Sequence, residues 1–257
     1  MVGKIVELRE VTLNYHTLDS EVVAIQNVSF DIEEGEFVSI VGPSGCGKST
    51  ILSLIAGLMK ASHGKILVGG RSIDGPSAEV GYMLQKDHLL EWRTVFKNIL
   101  IGLEIQNKMT EENIAFADRL IERYGLKDFA QLRPGQLSGG MRQRVALIRT
   151  LATNPEVLLL DESFSALDYQ MRLVIADEIW KIIKDEQKTA ILVTHDIAEA
   201  VSISDKVIVM SRRPGHVKAV HPITFDAEYN TPMKRREAPA FNHFYNMVWK
   251  EMDACVL

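Results

Sequence analysis

Two cysteines in 257 residues, Cys46 and Cys255, are too few for a disulfide framework, so the reducing cytosol is the default expectation. Positive charge is not in excess either: 29 Lys and Arg against 34 Asp and Glu leave a formal −5, which offers no basic footprint for nucleic acid. Long apolar runs are missing. The longest apolar helix that the pattern suggests, Ile51 to Met59, is interrupted by Ser53 and Gly57 and falls far short of the ~20 residues that cross a bilayer. The opening residues, Met1-Val2-Gly3-Lys4-Ile5-Val6-Glu7, lack the apolar centre of a secretory signal, and there is no repeat or low-complexity tract. A membrane role is therefore expected only through a partner. Apolar residues are nonetheless plentiful: at 46% the chain can bury a full core, as one large domain or as a domain with an inserted subdomain.

Gly42-Pro43-Ser44-Gly45-Cys46-Gly47-Lys48-Ser49-Thr50 has the spacing of a phosphate-binding loop. Its glycines let main-chain N–H groups crowd around an anion, and Lys48 adds a fixed positive charge. A helix beginning near Lys48 points its positive end at the same place. Ser49 offers the hydroxyl that a Mg²⁺ bridging the last two phosphates needs, and Thr50 can donate to the phosphate nearest the sugar. A glycine turn before a helix is the plain alternative. Against it stands the context, a buried strand at Phe37-Val38-Ser39-Ile40-Val41 before the loop and an apolar helix after it.

Val11, Leu13 and Tyr15, and then Val28, Phe30 and Ile32, alternate with polar residues, which predicts half-buried strands and an antiparallel sheet at the front. Later runs, Val157 to Leu160, Ala190 to Val193 and Lys206 to Met210, have the composition of buried parallel strands separated by helices. Between about Lys86 and Asn154 helical spacing takes over, as at Ile114, Ala117, Ile121 and Tyr124, which predicts an inserted helical subdomain. After His221 an irregular stretch leads to a final helix.

Val157-Leu158-Leu159-Leu160-Asp161-Glu162 ends an apolar strand in two acids, at the sheet edge where ligands of open α/β folds collect. Asp161 suits Mg²⁺ directly or through water, and Glu162 can accept a proton from attacking water. An ordinary acidic pair at a strand end is the alternative. Ser138 can cap a helix carrying Val145, Ile148 and Leu151, with Gly139 and Gly140 leaving its first N–H groups bare for an anion. A second anion site in one chain has little use on the same nucleotide, so it points to the ATP of a second copy in a head-to-tail pair; a capped helix with a flexible start is the alternative.

With Leu137-Ser138-Gly139-Gly140-Met141-Arg142-Gln143 as its signature, the sequence resembles the ATP-binding cassette ATPases over at least Glu7 to Arg213. The resemblance implies an α/β fold: a P-loop NTPase (RecA-like) core with an N-terminal antiparallel β subdomain and an inserted α-helical subdomain. It implies a nucleotide-binding domain over 1–220 with the helical insertion at about 86–154, and a tail over 221–257. It also implies ATP hydrolysis with Mg²⁺, held by Ser49, Gln85 and Asp161. By resemblance Tyr15 stacks on adenine; Gln85 reaches Mg²⁺ and the attacking water; Ser165-Ala166-Leu167-Asp168 joins the two active sites of a dimer; and His195 is the switch histidine at the γ-phosphate. Without that context, Tyr15 is a strand-end aromatic, Asp168 a helix cap and His195 a packed histidine.

Leu89-Leu90-Glu91-Trp92-Arg93-Thr94-Val95, Asn98 and Ser211-Arg212-Arg213-Pro214-Gly215 are similar to the importers of nitrate, sulfonates and taurine, some of which carry thiamine-precursor pyrimidines. That branch implies a second cassette subunit, an integral membrane permease reached near Leu90 and Trp92, indirectly a periplasmic or lipid-anchored solute-binding protein, and a place on the cytoplasmic face of the membrane. Glu91 and Ser163 stand where proline is usual. Phe241, Phe244, Tyr245, Val248, Trp249 and Met252 form one apolar helix face, expected to pack on the chain's own body or else to bind a partner. Lys234-Arg235-Arg236 is expected to be solvated charge, with contact to anionic lipid as the lesser reading; Cys46 is expected to do no catalytic thiol chemistry but, beside a helix N-terminus, to be sensitive to alkylation when no nucleotide is bound. A soluble cassette ATPase clamping DNA, the ribosome or iron-sulfur assembly remains the other reading; a kinase or GTPase leaves the second anion site unexplained.

Overall fold

The computed structural model describes residues 3–16, 21–164 and 168–253. Its first two strands, β1 (Lys4–His16) and β2 (Glu21–Glu33), form a long antiparallel hairpin, as their alternation predicts. Val6, Val11, Val28 and Ile32 fill its inner face with no exposed surface. Next comes β3 (Phe37–Val41), buried along its whole length, and then α1 (Lys48–Ile55). The helix is shorter than the apolar run through Met59 suggests. The Leu58 N–H folds back to the Ser53 carbonyl at 2.9 Å and closes the last turn, so Met59 lies beyond it. β4 (His63–Val68) pairs with β1, and β5 (Arg71–Ser72) with β4, giving an antiparallel sheet ordered β2-β1-β4-β5.

β6 (Val80–Met83) leads into helices α2 (Val95–Ile99), α3 (Ile101–Ile105), α4 (Glu111–Arg123) and α5 (Gly139–Leu151). The chain then returns through β7 (Val157–Asp161), α6 (Tyr169–Asp185), β8 (Thr189–Val193), α7 (Ile197–Ile203) and β9 (Lys206–Met210). An edge strand, β10 (Val217–Pro222), completes a six-stranded sheet ordered β10-β9-β3-β8-β7-β6. All pairs in it are parallel except β10 with β9.

Both faces of this sheet are covered, which is why its strands read as continuous apolar runs. On β7, Leu158 and Leu160 pack with α5 and α6, whereas Val157 and Leu159 pack with α1 and the antiparallel sheet. All four are fully buried, so a Leu159→Ala change should cost about 2–5 kcal/mol. The parallel arrangement brings the carboxyl ends of β3, β7 and β8 side by side, and the loops that leave those ends build the site.

The tail adds α8 (Pro232–Arg235) and α9 (Phe241–Asp253). Phe241, Phe244, Tyr245, Val248 and Met252 pack against α7 and β9, so this face is used internally; Trp249, 51% exposed, lies off it. Arg235 is not solvated charge. Its guanidinium donates to the Ser202 and Ser204 carbonyls and to Asp205, and lies 5.5 Å from the rings of Trp180 and Phe225. The end of α7 offers unpaired carbonyls there, and a cation at that end is favoured. Among the described residues no helix is long and apolar enough to cross a membrane.

Candidate nucleotide-binding and hydrolysis site

The loop between β3 and α1 wraps a cavity of about 340 Å³ lined by Tyr15, Ala24, Ser44, Gly45, Gly47, Lys48, Ser49, Thr50, Glu162 and Arg213. Gly47 starts the helix at φ 101, and a Cβ there would come 2.4 Å from Ile25 Cγ2, so only glycine brings the loop this close to β2. Lys48 is 7% exposed, and its ammonium donates to the Gly42 carbonyl at 2.8 Å and the Pro43 carbonyl at 3.1 Å. Tyr15 Oη lies 3.3 Å from Thr50 Oγ1, so the aromatic stands at the α1 side of the cavity. Gly42, Pro43 and Cys46 shape the loop from behind. The Cys46 thiol is 1% exposed and packed in the core, which contradicts the expectation that it is open to alkylation.

Ser49 Oγ donates to Asp161 Oδ1 at 2.9 Å, and Tyr82 Oη donates to Asp161 Oδ2 at 3.1 Å. Burial, together with the Asp161 charge, pushes the Tyr82 phenol well up, so it stays a donor. Beside this pair, Glu162 takes φ 44, a left-handed backbone that costs a non-glycine residue about 1–2 kcal/mol. Its N–H donates to the Val193 carbonyl at 2.9 Å, which sets the strained residue against β8. Gln85 Nε2 donates to Glu162 Oε2 at 3.2 Å, and His195 Nδ1 lies 3.3 Å from Glu162 Oε1. A carboxylate, an amide and an imidazole from three separate strand ends thus converge beside the phosphate loop. They can orient a water and take its proton.

Ser49 and Asp161 offer hard oxygen donors at one point, which fits Mg²⁺ shared with phosphates, and Gln85 reaches Glu162 next to them. No group of three or more His, Cys, Asp or Glu that could hold a metal alone occurs among the described residues. The His195 loop rests on Glu199, a 4% exposed carboxyl whose pKa burial pushes up to about 7 against the bond from Thr194.

Ser138 caps α5 as predicted, accepting from the Met141 N–H at 3.3 Å, and Gly139 follows it in the open. Ser138, Gly139 and Gly140 do not line the chain's own cavity. Asp168 caps α6, accepting from Met171 N–H at 3.0 Å; Ser165, Ala166 and Leu167, like Cys255, lie outside the described residues.

Residues 25–165 match the family described as ABC transporter. The chain belongs to that family. Over 244 residues, 95% of this chain and 94% of the other, it is 43% identical to the uncharacterized ABC transporter ATP-binding protein YtlC of Bacillus subtilis. It is 44% identical over 202 residues to the taurine import ATP-binding protein TauB of Rhizobium johnstonii, covering 79% of this chain and 77% of that one. The dimeric post-hydrolysis structure of the ATP-binding cassette MJ0796 bound to ADP and Pi superposes with a TM-score of 0.72 at 31% identity, covering 86% of this chain and all of that one. The ABC cassette described here is accordingly an ATPase with a P-loop NTPase core.

Two features of this ABC cassette were not legible as site residues. Tyr82 sits on β6, whose register opposite Leu159 puts it beside Asp161, and alternation along β6 was the available signal. Arg142, inside the signature, holds Asp87 at 2.8 and 3.1 Å and Glu91 at 2.9 Å, tying α5 to the loop after Gln85. Burial raises Asp87, but Arg142 more than offsets this and holds its carboxyl below the usual range.

Proposed function

We propose that two copies of this chain close around two ATP, hydrolyse them, and drive a separate membrane permease that imports a small anion or related solute: nitrate, an alkanesulfonate, taurine or a thiamine-precursor pyrimidine. The main-chain N–H groups of Ser44 through Thr50 and the Lys48 ammonium hold the phosphates, and Tyr15 stacks on adenine. Ser49, Gln85 and Asp161 hold Mg²⁺, which when bound neutralises charge on the last two phosphates. Glu162 accepts the proton of the attacking water, Gln85 positions that water, and His195 donates to the γ-phosphate. Ser138, Gly139 and Gly140 of one copy meet the γ-phosphate held by the other, and Asp168 lies where the two sites join.

What supports the pairing is one observation: Ser138 and Gly139 at the start of α5 stand exposed and outside the chain's own cavity, while Glu162 lines that cavity and gathers Gln85 and His195 beside it. The importer class rests on the likeness to TauB. Trp92, 71% exposed on a loop that buried Asn98 pins through Leu90, Arg93 and Thr94, supplies an apolar contact for the permease at the cytoplasmic face. The solute-binding protein acts only through that permease.

A mild-detergent pull-down of the tagged chain from its native membranes, read by mass spectrometry, tests this. Recovery of a multi-span permease supports import and opens a screen of the associated binding protein against anions. Recovery of soluble partners alone, from material that still dimerises with ATP, discards it in favour of a soluble clamp.

A further inference from the structure

The turn between β9 and β10 carries Ser211-Arg212-Arg213-Pro214-Gly215, a segment to which the hydrolytic groups give no task. It is pressed onto the nucleotide side of the fold. The Gly215 N–H donates to the Ala24 carbonyl at 3.0 Å, and the Gly215 carbonyl accepts from the Gln26 N–H at 2.8 Å. A Cβ at Gly215 would lie 1.9 Å from the Cys46 carbonyl oxygen, so the turn sits flush against the back of the phosphate loop and only glycine allows it. Ser211 ties the turn at its base, its Oγ accepting from the His216 N–H at 2.9 Å.

That seating delivers one side chain to the cavity. Arg213 Nε donates to the Val23 carbonyl at 3.2 Å, and Val23 pairs across the hairpin with Asn14, the neighbour of Tyr15. The same arginine lines the cavity together with Tyr15, Ala24 and Thr50. Lys48 and Arg213 are the two cations among its described lining residues, and the Lys48 ammonium lies on the Gly42 and Pro43 carbonyls. One cation therefore serves the inner part of the loop, and the other stands on the Tyr15 side.

The geometry points to Arg213 as a second cationic contact of the bound nucleotide, pairing through its Nη donors with the phosphate nearest the sugar. The bond from Nε to Val23 holds the planar guanidinium in place before the nucleotide arrives, so little side-chain freedom is lost on binding. Hydrogen bonds from an ionised donor to phosphate are the strong ones, and with Arg213 exposed at the cavity rim this pair is open to screening by salt. The role rests on nucleotide filling this cavity, and the test separates the two claims.

Calorimetric titration of ADP and ATP into the parent chain, Arg213→Ala, Arg213→Lys and Lys48→Ala, at low and high potassium chloride, reads the effect. Arg213→Ala should weaken both nucleotides about tenfold and flatten the salt dependence, and Arg213→Lys should recover most of the loss. The unfolding temperature without nucleotide should stay at the parent value while the rise on adding ADP shrinks. Binding by Arg213→Ala within twofold of the parent overturns the proposal, as does an Arg213→Lys variant as weak as alanine, since charge would then not be the cause. A variant that unfolds earlier without nucleotide and loses binding in step would assign the arginine to holding the turn, and likewise overturns it. If Lys48→Ala binds as the parent does, the cavity itself is wrongly assigned; if it loses binding while Arg213→Ala keeps it, only the arginine falls.

Discussion

The starts of α1 and α5 both carry glycine, Gly47 at the cap of one and Gly139 at the first turn of the other, and they sit in opposite surroundings. At the start of α1 the chain supplies everything: a cavity, a buried lysine, and Asp161, Glu162, Gln85 and His195 from neighbouring strand ends. At the start of α5 it supplies a serine cap and then open surface at Gly139. The same local chemistry makes a complete site in one place and half a site in the other, because only α1 begins where parallel strands converge. An anion-ready terminus with nothing of its own to bind is what a paired assembly needs.

The sharpest way to break that contrast is to disable each side separately. Glu162→Gln should reduce phosphate release by at least ~10²-fold while ATP still binds and the pair persists on a sizing column. Lys48→Ala should instead lose nucleotide at the binding step. On the other side, Gly139→Asp places a like charge against the phosphate. It should leave ADP binding to the single chain within about twofold, yet lower turnover on the order of 10-fold to 100-fold through lost pairing. Mixing Lys48→Ala with Gly139→Asp chains gives hybrid pairs in which one site is whole, so part of the turnover should return. No return on mixing would show that the two helix starts do not meet.

A smaller effect is expected beneath His195. The Glu199 carboxyl is raised from its ordinary value near 4.5 to about 7, so the folded state holds this proton more tightly than the unfolded one. Its contribution to stability is full below about pH 4.5 and fades as pH rises through 7. Glu199→Gln removes that dependence, and relative to the parent it should gain about 1–3 kcal/mol between pH 5 and pH 8 in denaturant unfolding. The smallest effect belongs to the α5 side. Glu91 is more than half exposed where Arg142 reaches it, so Glu91→Gln should change stability by about 0.2–1 kcal/mol and leave the better-buried Asp87 pair to hold the loop.

Much of this was legible along the chain. Period-two alternation marked β1 and β2, continuous apolar runs marked β7, β8 and β9, and the loop from Gly42 to Thr50 needed no tertiary help because its chemistry lies in nine consecutive residues. The misreadings were of a different kind. Lys234-Arg235-Arg236 looks like surface charge, yet Arg235 caps the end of a helix more than thirty residues earlier in the chain. Cys46 looks accessible to alkylation beside a helix start, yet the turn at Gly215 covers the loop that carries it. Neither outcome leaves a trace in local spacing.

By itself, then, the order of residues determined which groups could bind phosphate, hold a divalent cation or take a proton, since each such task is written in a short motif on a strand end or helix start. The tertiary structure decided which of them meet. Asp161 finds Ser49 from 112 residues away, and Arg213 finds Val23 from 190. Those encounters follow from the strand order β10-β9-β3-β8-β7-β6, which is fixed by packing both faces of one sheet at once and by helices that cross between its parallel strands.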